Sequence, residues 1–233
     1  FGNSFFTLEN ARKIGHIRER IEELKSELNE RERAILITSL IFATDKVANT
    51  CGHYDAFREK LDTTQKIKLL MPDIKKSRSN CKIFREDANE LVKHINADLV
   101  YIDTPYNSRQ YGDLYHLLEN LAEWKKPAVI GKAKKMPDRA NIKSKYCTVK
   151  APQVFDELIS NIDSRYILVS YNNMAQKGVG RSNAKISNEE IIEILSKRGS
   201  VKIFNIDYNT YNTGKTDIND HQELLYLCTV EGR

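Results

Sequence analysis

The sequence predicts an α/β fold with a mainly parallel sheet that ends in an antiparallel strand pair, preceded by a helical lobe. Over residues 1–80, apolar residues recur three and four apart, which is the period of amphipathic helices. From residue 81 onwards, short apolar runs alternate with helical patterns, as in strand–helix–strand units of a parallel sheet. The last two apolar runs, 201–206 and 224–230, have no helical pattern between them and are expected to pair antiparallel.

The amino-acid composition limits the classes of protein to which the chain can belong. The 233 residues are 40% hydrophobic and 30% charged, and the net charge of +5 permits a polyanionic partner without demanding one. No apolar run approaches the roughly 20 residues of a membrane span. The first residues do not resemble a signal peptide, so we expect a cytoplasmic protein without membrane contact. The four cysteines and five histidines are dispersed, which predicts free thiols and no metal site.

The lobe is predicted to contain two long helices. Thr7 is a suitable N-cap for the first helix, and the second covers about 30–48. A further helical piece is expected near residues 55–60. The basic run between Lys66 and Lys82 is most simply read as a solvated face.

The first strand–helix–strand unit is predicted to comprise a strand at 81–84, a helix at 89–95 and a strand at 98–103. Parallel neighbours in such a unit end at the same edge of the sheet. We therefore expect Asp87 and Asp103 to face one crevice. Helices are predicted at 111–124, at 153–161 and from the capping box Ser187–Glu190 to Gly199, and a strand at 166–169.

One stretch of the sequence indicates a candidate catalytic site. The apolar run Leu99–Ile102 leads into Asp103, Thr104, Pro105 and Tyr106, and Pro105 ends the strand because it lacks a backbone N–H. Ligands bind at the carboxyl edge of open α/β sheets. An acid, a backbone carbonyl and an aromatic face suit a flat base that bears an exocyclic amine. A strand that simply enters a turn is the alternative.

Asp103-Thr104-Pro105-Tyr106 resembles the Asp-Pro-Pro-Tyr motif of DNA methyltransferases that act on adenine N6. The run from Leu99 to Glu119 is similar to the Dam-like, alpha-ordered group and its type II restriction-modification relatives. The likeness continues through residues 170–173 and the closing strand pair. It implies a Rossmann-like methyltransferase sheet.

The resemblance also implies an activity, namely methyl transfer from S-adenosylmethionine to adenine N6 in double-stranded DNA after base flipping. Asp103 and the main-chain carbonyl of Pro105 or its neighbour would accept the two amine hydrogens, and Tyr106 would stack on the base. A cognate restriction endonuclease would be a functional rather than a physical partner.

By the same resemblance, Asp87 and Asp103 are candidate cofactor-binding residues, although Asp87 also fits an ordinary helix N-terminal acid. Ser170, Asn172 and Asn173 either line the crevice or form a turn. The candidate DNA-binding residues are Asn107, Arg109, Tyr111, Arg181, Lys185 and Lys215. Tyr111 fits simple packing equally well.

Two features depart from the family pattern. Thr104 stands where the family usually has proline, and the Phe-x-Gly-rich cofactor loop is not found, since Gly178 and Gly180 do not open a helix. We therefore expect an amino-terminal segment or a partner chain to supply that loop. In this interpretation residues 1–80 are a helical target-recognition or DNA-binding lobe. Residues 81–233 are a catalytic domain that lacks the loop.

Two other functions stay open. A non-catalytic DNA-binding subunit would keep the pocket for a flipped base without a donor site. An amine methyltransferase that acts on RNA or protein would share a related motif, although the aspartate form and the extended Dam-like run argue against it.

Overall fold

A computed structural model describes residues 1–61, 65–75, 79–175, 183–207 and 222–232. The contacts divide the chain into two compact units. The first comprises Phe1–Cys81 and Tyr111–Ile142, and the second comprises Lys82–Gln110 and the described residues from Lys143 onwards. Residues 111–142 thus group with the helical first unit.

Seven α-helices and four strands occur in the described residues. The helices are α1 (Leu8–Glu23), α2 (Glu30–Lys46), α3 (Ala88–Leu91), α4 (Tyr111–Leu114), α5 (His116–Glu123), α6 (Ala151–Asn161) and α7 (Asn188–Ser196). The strands are β1 (Asn96–Ile102), β2 (Asp163–Asn172), β3 (Gly199–Asp207) and β4 (Gln222–Val230).

Side-chain caps fix the beginnings of the long helices. The Thr7 hydroxyl accepts a hydrogen bond from the Asn10 N–H and begins α1, as predicted. Asn29 and Glu32 form a capping box that begins α2. Ser187 and Glu190 form the predicted box at α7. Local sequence alone therefore determines where these helices begin.

A buried arginine connects α1 and α5 in the first unit. Arg18 lies on α1 and is 0% exposed. Its Nε donates to the carbonyl of Leu121 at 2.7 Å, its Nη2 donates to the carbonyl of Ala122 at 3.2 Å, and its Nη1 donates to Glu22 at 3.0 Å. The guanidinium thereby satisfies two carbonyls near the end of α5.

The second unit contains a four-stranded sheet in the order β1–β2–β4–β3. β1 pairs parallel with β2, with α6 as the crossover helix, and β4 pairs antiparallel with both β2 and β3. The α/β class and the antiparallel terminal pair are confirmed. α6, α7 and Val92, in the 3₁₀ turn after α3, share one apolar core with the inward residues of β1, β2 and β4.

Three predictions about individual elements are wrong. Residues 81–84 form no strand, and the Ile83 side chain is 92% exposed, because a short apolar run without a neighbouring strand gains nothing from extended backbone. Residues 55–60 form no helix. Gly199 begins β3 instead of closing a helix, since a Cβ there would collide with the carbonyl of Thr229.

No helix of the described ranges is long and apolar enough to cross a membrane. Within the same ranges, no group of three or more His, Cys, Asp and Glu side chains is arranged to hold a metal ion. Cys51, Cys81, Cys147 and Cys228 are free thiols.

Replacing Arg18 by leucine is expected to lower the free energy of unfolding by about 2–4 kcal/mol, because one buried and one partly buried carbonyl lose their donor. Urea unfolding followed by circular dichroism measures the loss. Arg20→Leu is the matched control: its partner Glu23 is exposed, and the expected change is within about 0.5 kcal/mol. Equal losses of unfolding free energy in the two variants would contradict the stabilising role of the Arg18 hydrogen bonds.

Candidate functional site

Asp103 lies at the carboxyl end of β1. Ile102, the preceding residue, is the last residue of β1 and pairs with Val169 of β2. The Asp103 side chain is exposed, whereas Thr104 is only 9% exposed. The structure therefore places an accessible carboxylate at the sheet edge where the sequence predicted one.

The main chain of Tyr106 is held by two donors. Its carbonyl accepts hydrogen bonds from the Lys185 N–H at 2.7 Å and from the Tyr171 hydroxyl at 3.2 Å. The same hydroxyl accepts from the Ile186 N–H at 3.2 Å. The rings of Tyr106 and Tyr171 meet edge to face, with centroids 5.9 Å apart. The end of the motif is thus fixed to β2 and to residues 184–186.

The polar run after the motif is ordered by its own side chains. The Asn107 Oδ1 accepts from the Arg109 N–H at 2.9 Å, which makes a tight turn. The Gln110 side chain makes two bonds to the main chain of Ser144. The Cys147 thiol donates to the Arg109 carbonyl at 3.4 Å. The Arg109 side chain itself is exposed.

Asp87 lies at the beginning of a helix instead of at the end of a strand. Its carboxylate caps α3 by accepting from the Asn89 N–H at 2.9 Å. The next residue, Ala88, lines a cavity of about 220 Å³ that Asp103 and Thr104 also line. α3 therefore begins near the carboxyl end of β1, although the strand predicted before Asp87 is absent.

The cavity beside Asp103 contains a polar group without a partner. The Thr104 Oγ1 is buried and makes no hydrogen bond to any described residue. The other lining side chains are mainly apolar and come from α3, the 3₁₀ turn after it, β1 and α6. The Thr104 hydroxyl is thus a buried polar group whose hydrogen-bonding capacity is unused among the described residues.

A second carboxylate lies near Asp103. Glu223 of β4 pairs with Asn172 of β2 in the sheet register. Burial raises the pKa of Glu223, and the Asp103 carboxylate raises it further. The carboxyl edge of the sheet therefore carries two neighbouring acids.

The other predicted site residues form a turn, belong to the first unit or lie outside the described residues. Asn172 is buried and accepts from the Met174 N–H, and Asn173 exchanges bonds with Gln222, so both serve a turn. Tyr111 begins α4 in the first unit and packs edge to face on Tyr115. Arg181 and Lys215 lie outside the described residues.

The second unit thus brings Asp103, Pro105, Tyr106 and Lys185 together, with Ala88 after Asp87 at the same cavity. Their roles stay predictions. Sequence reasoning missed Tyr171 and Glu223. The alternation of β2 marks Tyr171 as a core residue, and only the fold shows that its hydroxyl meets the motif.

The cavity beside Asp103 is small for a ligand site. Pockets for small molecules usually measure about 300–1,000 Å³, so a cavity of about 220 Å³ is too small for a whole nucleoside cofactor. A larger cavity of about 350 Å³ in the first unit is lined by none of the predicted site residues. Asp103 and Thr104 line the smaller cavity, and Asp87 immediately precedes its lining residue Ala88.

Comparisons with known proteins agree with the motif. A sequence profile described as D12 class N6 adenine-specific DNA methyltransferase matches residues 3–179. The chain is 41% identical to the modification methylase StsI of Streptococcus sanguinis over 96% of the chain. It is 35% identical over 96% to the type II methyltransferase M.FokI of Planomicrobium okeanokoites, and 34% identical over 94% to M.NlaIII of Neisseria lactamica.

The chain is shorter than these relatives. It spans 34% of the length of the first two and 63% of the length of the third. No solved structure matches the chain.

Glu223→Gln is expected to stabilise the protein at pH 7.5. A carboxyl whose pKa is raised in the folded state above its ordinary 4.5 favours folding when protonated, and this contribution is lost as the pH rises through the folded pKa. Glutamine mimics the protonated form, so the gain should shrink toward pH 5. Urea unfolding at both pH values measures it.

Glu231→Gln is the control, because Glu231 is exposed just after β4. A gain at Glu223 that is independent of pH, or one that Glu231→Gln reproduces, would refute the electrostatic explanation.

Proposed function

Because the chain belongs to the D12 class N6 adenine-specific DNA methyltransferase family, we propose that its second unit holds the target adenine in such an enzyme. The reaction would transfer a methyl group to adenine N6 in double-stranded DNA. The observation that carries the proposal is the Asp103 carboxylate at the carboxyl end of β1, with Tyr106 fixed beside it.

Asp103 and one main-chain carbonyl would bind the adenine amine. The amine is a poor nucleophile because its lone pair is delocalised into the ring. Acceptors for both hydrogens favour a tetrahedral nitrogen whose lone pair is directed at the methyl group. The Tyr106 carbonyl already has two donors, which occupy its two lone pairs, so the second acceptor is the carbonyl of Pro105 or of its preceding neighbour Thr104.

Tyr106 would hold the base after it leaves the duplex. An enzyme that modifies a base inside a helix must flip it out of the stack. Stacking on an aromatic ring contributes roughly 1–3 kcal/mol per base. The edge-to-face packing on Tyr171 fixes the plane of the Tyr106 ring and lowers the entropy lost when a base stacks on it.

The family implies a methyl donor, and we propose S-adenosylmethionine. When bound, it supplies an electrophilic methyl group. Asp87 and Asp103 would bind it from this chain, and a cofactor loop would come from a segment outside these 233 residues. The position of β1 supports this, since it is an edge strand of the described sheet and its Leu99 and Tyr101 are 47% and 54% exposed.

DNA contacts would come from both units. Arg109 is exposed just after the motif, and the Lys185 main chain touches the motif, so both are suited to phosphates beside a flipped base. Asn107, Tyr111, Arg181 and Lys215 remain further candidates, and the helical residues 1–80 a target-recognition lobe. The natural setting would be bacterial restriction-modification, with a cognate endonuclease as the functional partner.

One observation favours a second function. The cavity beside Asp103 is smaller than a nucleoside cofactor needs. A non-catalytic DNA-binding subunit would keep the pocket for the base without any donor site. The two experiments below separate these functions.

Asp103→Ala should lower kcat for methyl transfer at least about 100-fold, because a group that stabilises the developing charge is lost. The assay follows labelled methyl groups from S-adenosylmethionine into unmethylated genomic DNA, in the longest natural polypeptide that contains these residues. DNA affinity should change little, since phosphate contacts dominate it.

Asp98→Ala is the control, because Asp98 is an exposed acid on the same strand. Its kcat should match that of the wild type. Full activity in Asp103→Ala would overturn the central assignment.

Calorimetric titration of the 233-residue chain with S-adenosylmethionine tests the origin of the donor site. No saturable heat is expected up to about 1 mM, a concentration that corresponds to about −4.1 kcal/mol of binding free energy. Saturable one-to-one binding would contradict the need for an outside segment. An absence of binding in the longest natural polypeptide as well would favour the non-catalytic subunit.

A further inference from the structure

We infer that Tyr171 is a positioning residue for the Asp103–Tyr106 motif, acting through its hydroxyl on the Tyr106 carbonyl. The hydroxyl lies 3.2 Å from that carbonyl, and the Tyr171 side chain is 1% exposed. This inference rests on the proposed function, since a positioning role needs a reaction to serve.

The hydrogen-bond roles of the Tyr171 hydroxyl are fixed by its neighbours. The Ile186 N–H only donates, so the hydroxyl oxygen accepts from it at 3.2 Å. The Tyr106 carbonyl only accepts, so the single hydroxyl proton points to it. Burial raises the pKa of Tyr171 to about 12, and the proton therefore stays in place at neutral pH. The hydroxyl has one stable orientation.

The same contacts connect three segments of the second unit. The Lys185 N–H donates to the Tyr106 carbonyl at 2.7 Å, and the Ala184 N–H donates to the Met174 carbonyl at 3.2 Å. The consecutive amides of residues 184–186 thus donate in turn to the Met174 carbonyl just after β2, to the Tyr106 carbonyl and to the Tyr171 hydroxyl. The motif is held by a ring of bonds in which only Tyr171 uses its side chain.

The aromatic ring of Tyr171 restrains the plane of the Tyr106 ring. It packs edge to face on the Tyr106 ring at an interplanar angle of 78°. Tyr171 therefore sets both the carbonyl and the ring plane of Tyr106. Pro105 precedes Tyr106 directly, so these contacts hold the residue that follows the proposed acceptor carbonyls.

Tyr171→Phe removes the hydroxyl and keeps the ring. Tyr226→Phe is the matched control: Tyr226 is also buried, in neighbouring β4, and its hydroxyl donates to Asn188 at 3.0 Å. Tyr171→Phe loses two hydrogen bonds of a buried hydroxyl and Tyr226→Phe loses one, but only the first variant touches the motif. A general loss of stability should therefore appear in both.

The first measurement is hydrogen exchange of the Lys185 amide, by NMR on the 233-residue chain. This amide donates to the Tyr106 carbonyl at 2.7 Å, so its exchange reports whether that bond persists when the Tyr171 hydroxyl is removed. We expect at least about tenfold faster exchange in Tyr171→Phe and no change in Tyr226→Phe.

The second measurement separates kcat from KM in the longest natural polypeptide. Misplacement of a reacting group by about 1 Å costs on the order of 100-fold in rate. Tyr171→Phe should therefore lower kcat about 10- to 100-fold with the KM for unmethylated genomic DNA nearly unchanged. Tyr226→Phe should leave both constants as in the wild type.

Unchanged Lys185 exchange in Tyr171→Phe would overturn the positioning role whatever the activity. Faster exchange with a wild-type kcat would overturn it too, because the fixed carbonyl would then not serve the reaction. A wild-type polypeptide without any methyl transfer would overturn the proposed function, and the positioning role would fall with it even if exchange quickened.

Discussion

The register of β1 against β2 determines which groups meet at the site. The two strands pair in parallel from Asn96 with Asp163 to Ile102 with Val169, so their carboxyl ends lie at one edge. Tyr171 lies two residues beyond Val169 and therefore on the same, buried face of β2. A slip of one residue would turn Tyr171 to the opposite face and separate its hydroxyl from the Tyr106 carbonyl. α6 prevents such a slip, because Phe155, Leu158 and Ile159 are buried in the core that contains this face.

Two polar groups of the motif differ in how far they are satisfied. The Tyr106 carbonyl has two donors, whereas the Thr104 hydroxyl has no partner among the described residues. A net hydrogen bond contributes about 0.5–1.5 kcal/mol, but a buried group without a partner costs about 1–3 kcal/mol. The motif is thus firmly held at Tyr106, whereas the Thr104 hydroxyl, next to Asp103, is unsatisfied.

Local signals in the sequence predict the helix starts and the strand that carries Asp103. Thr7 and Ser187 cap their helices through contacts within three residues, so no knowledge of the fold is needed. Residues 81–84 show the limit of that approach. Their apolar run resembles a strand, yet a strand forms only where a neighbour offers hydrogen bonds, and sequence does not say whether one does. Tyr171 was missed for a related reason, because alternation identifies a buried side chain without showing what its polar end touches.

The edge position of β1 makes the contacts of Tyr106 more important. In the described sheet β1 has one neighbouring strand, and Leu99 and Tyr101 are about half exposed. A parallel strand usually gains order from neighbours on both sides and from cover on both faces. The chain beyond Ile102 therefore receives little restraint from β1 itself. The bonds from Tyr171 and Lys185 to the Tyr106 carbonyl supply that restraint from β2 and residues 184–186, which belong to the better-packed part of the unit. The motif is thus held from its far end, and Asp103 lies between a weakly restrained strand and a firmly held tyrosine.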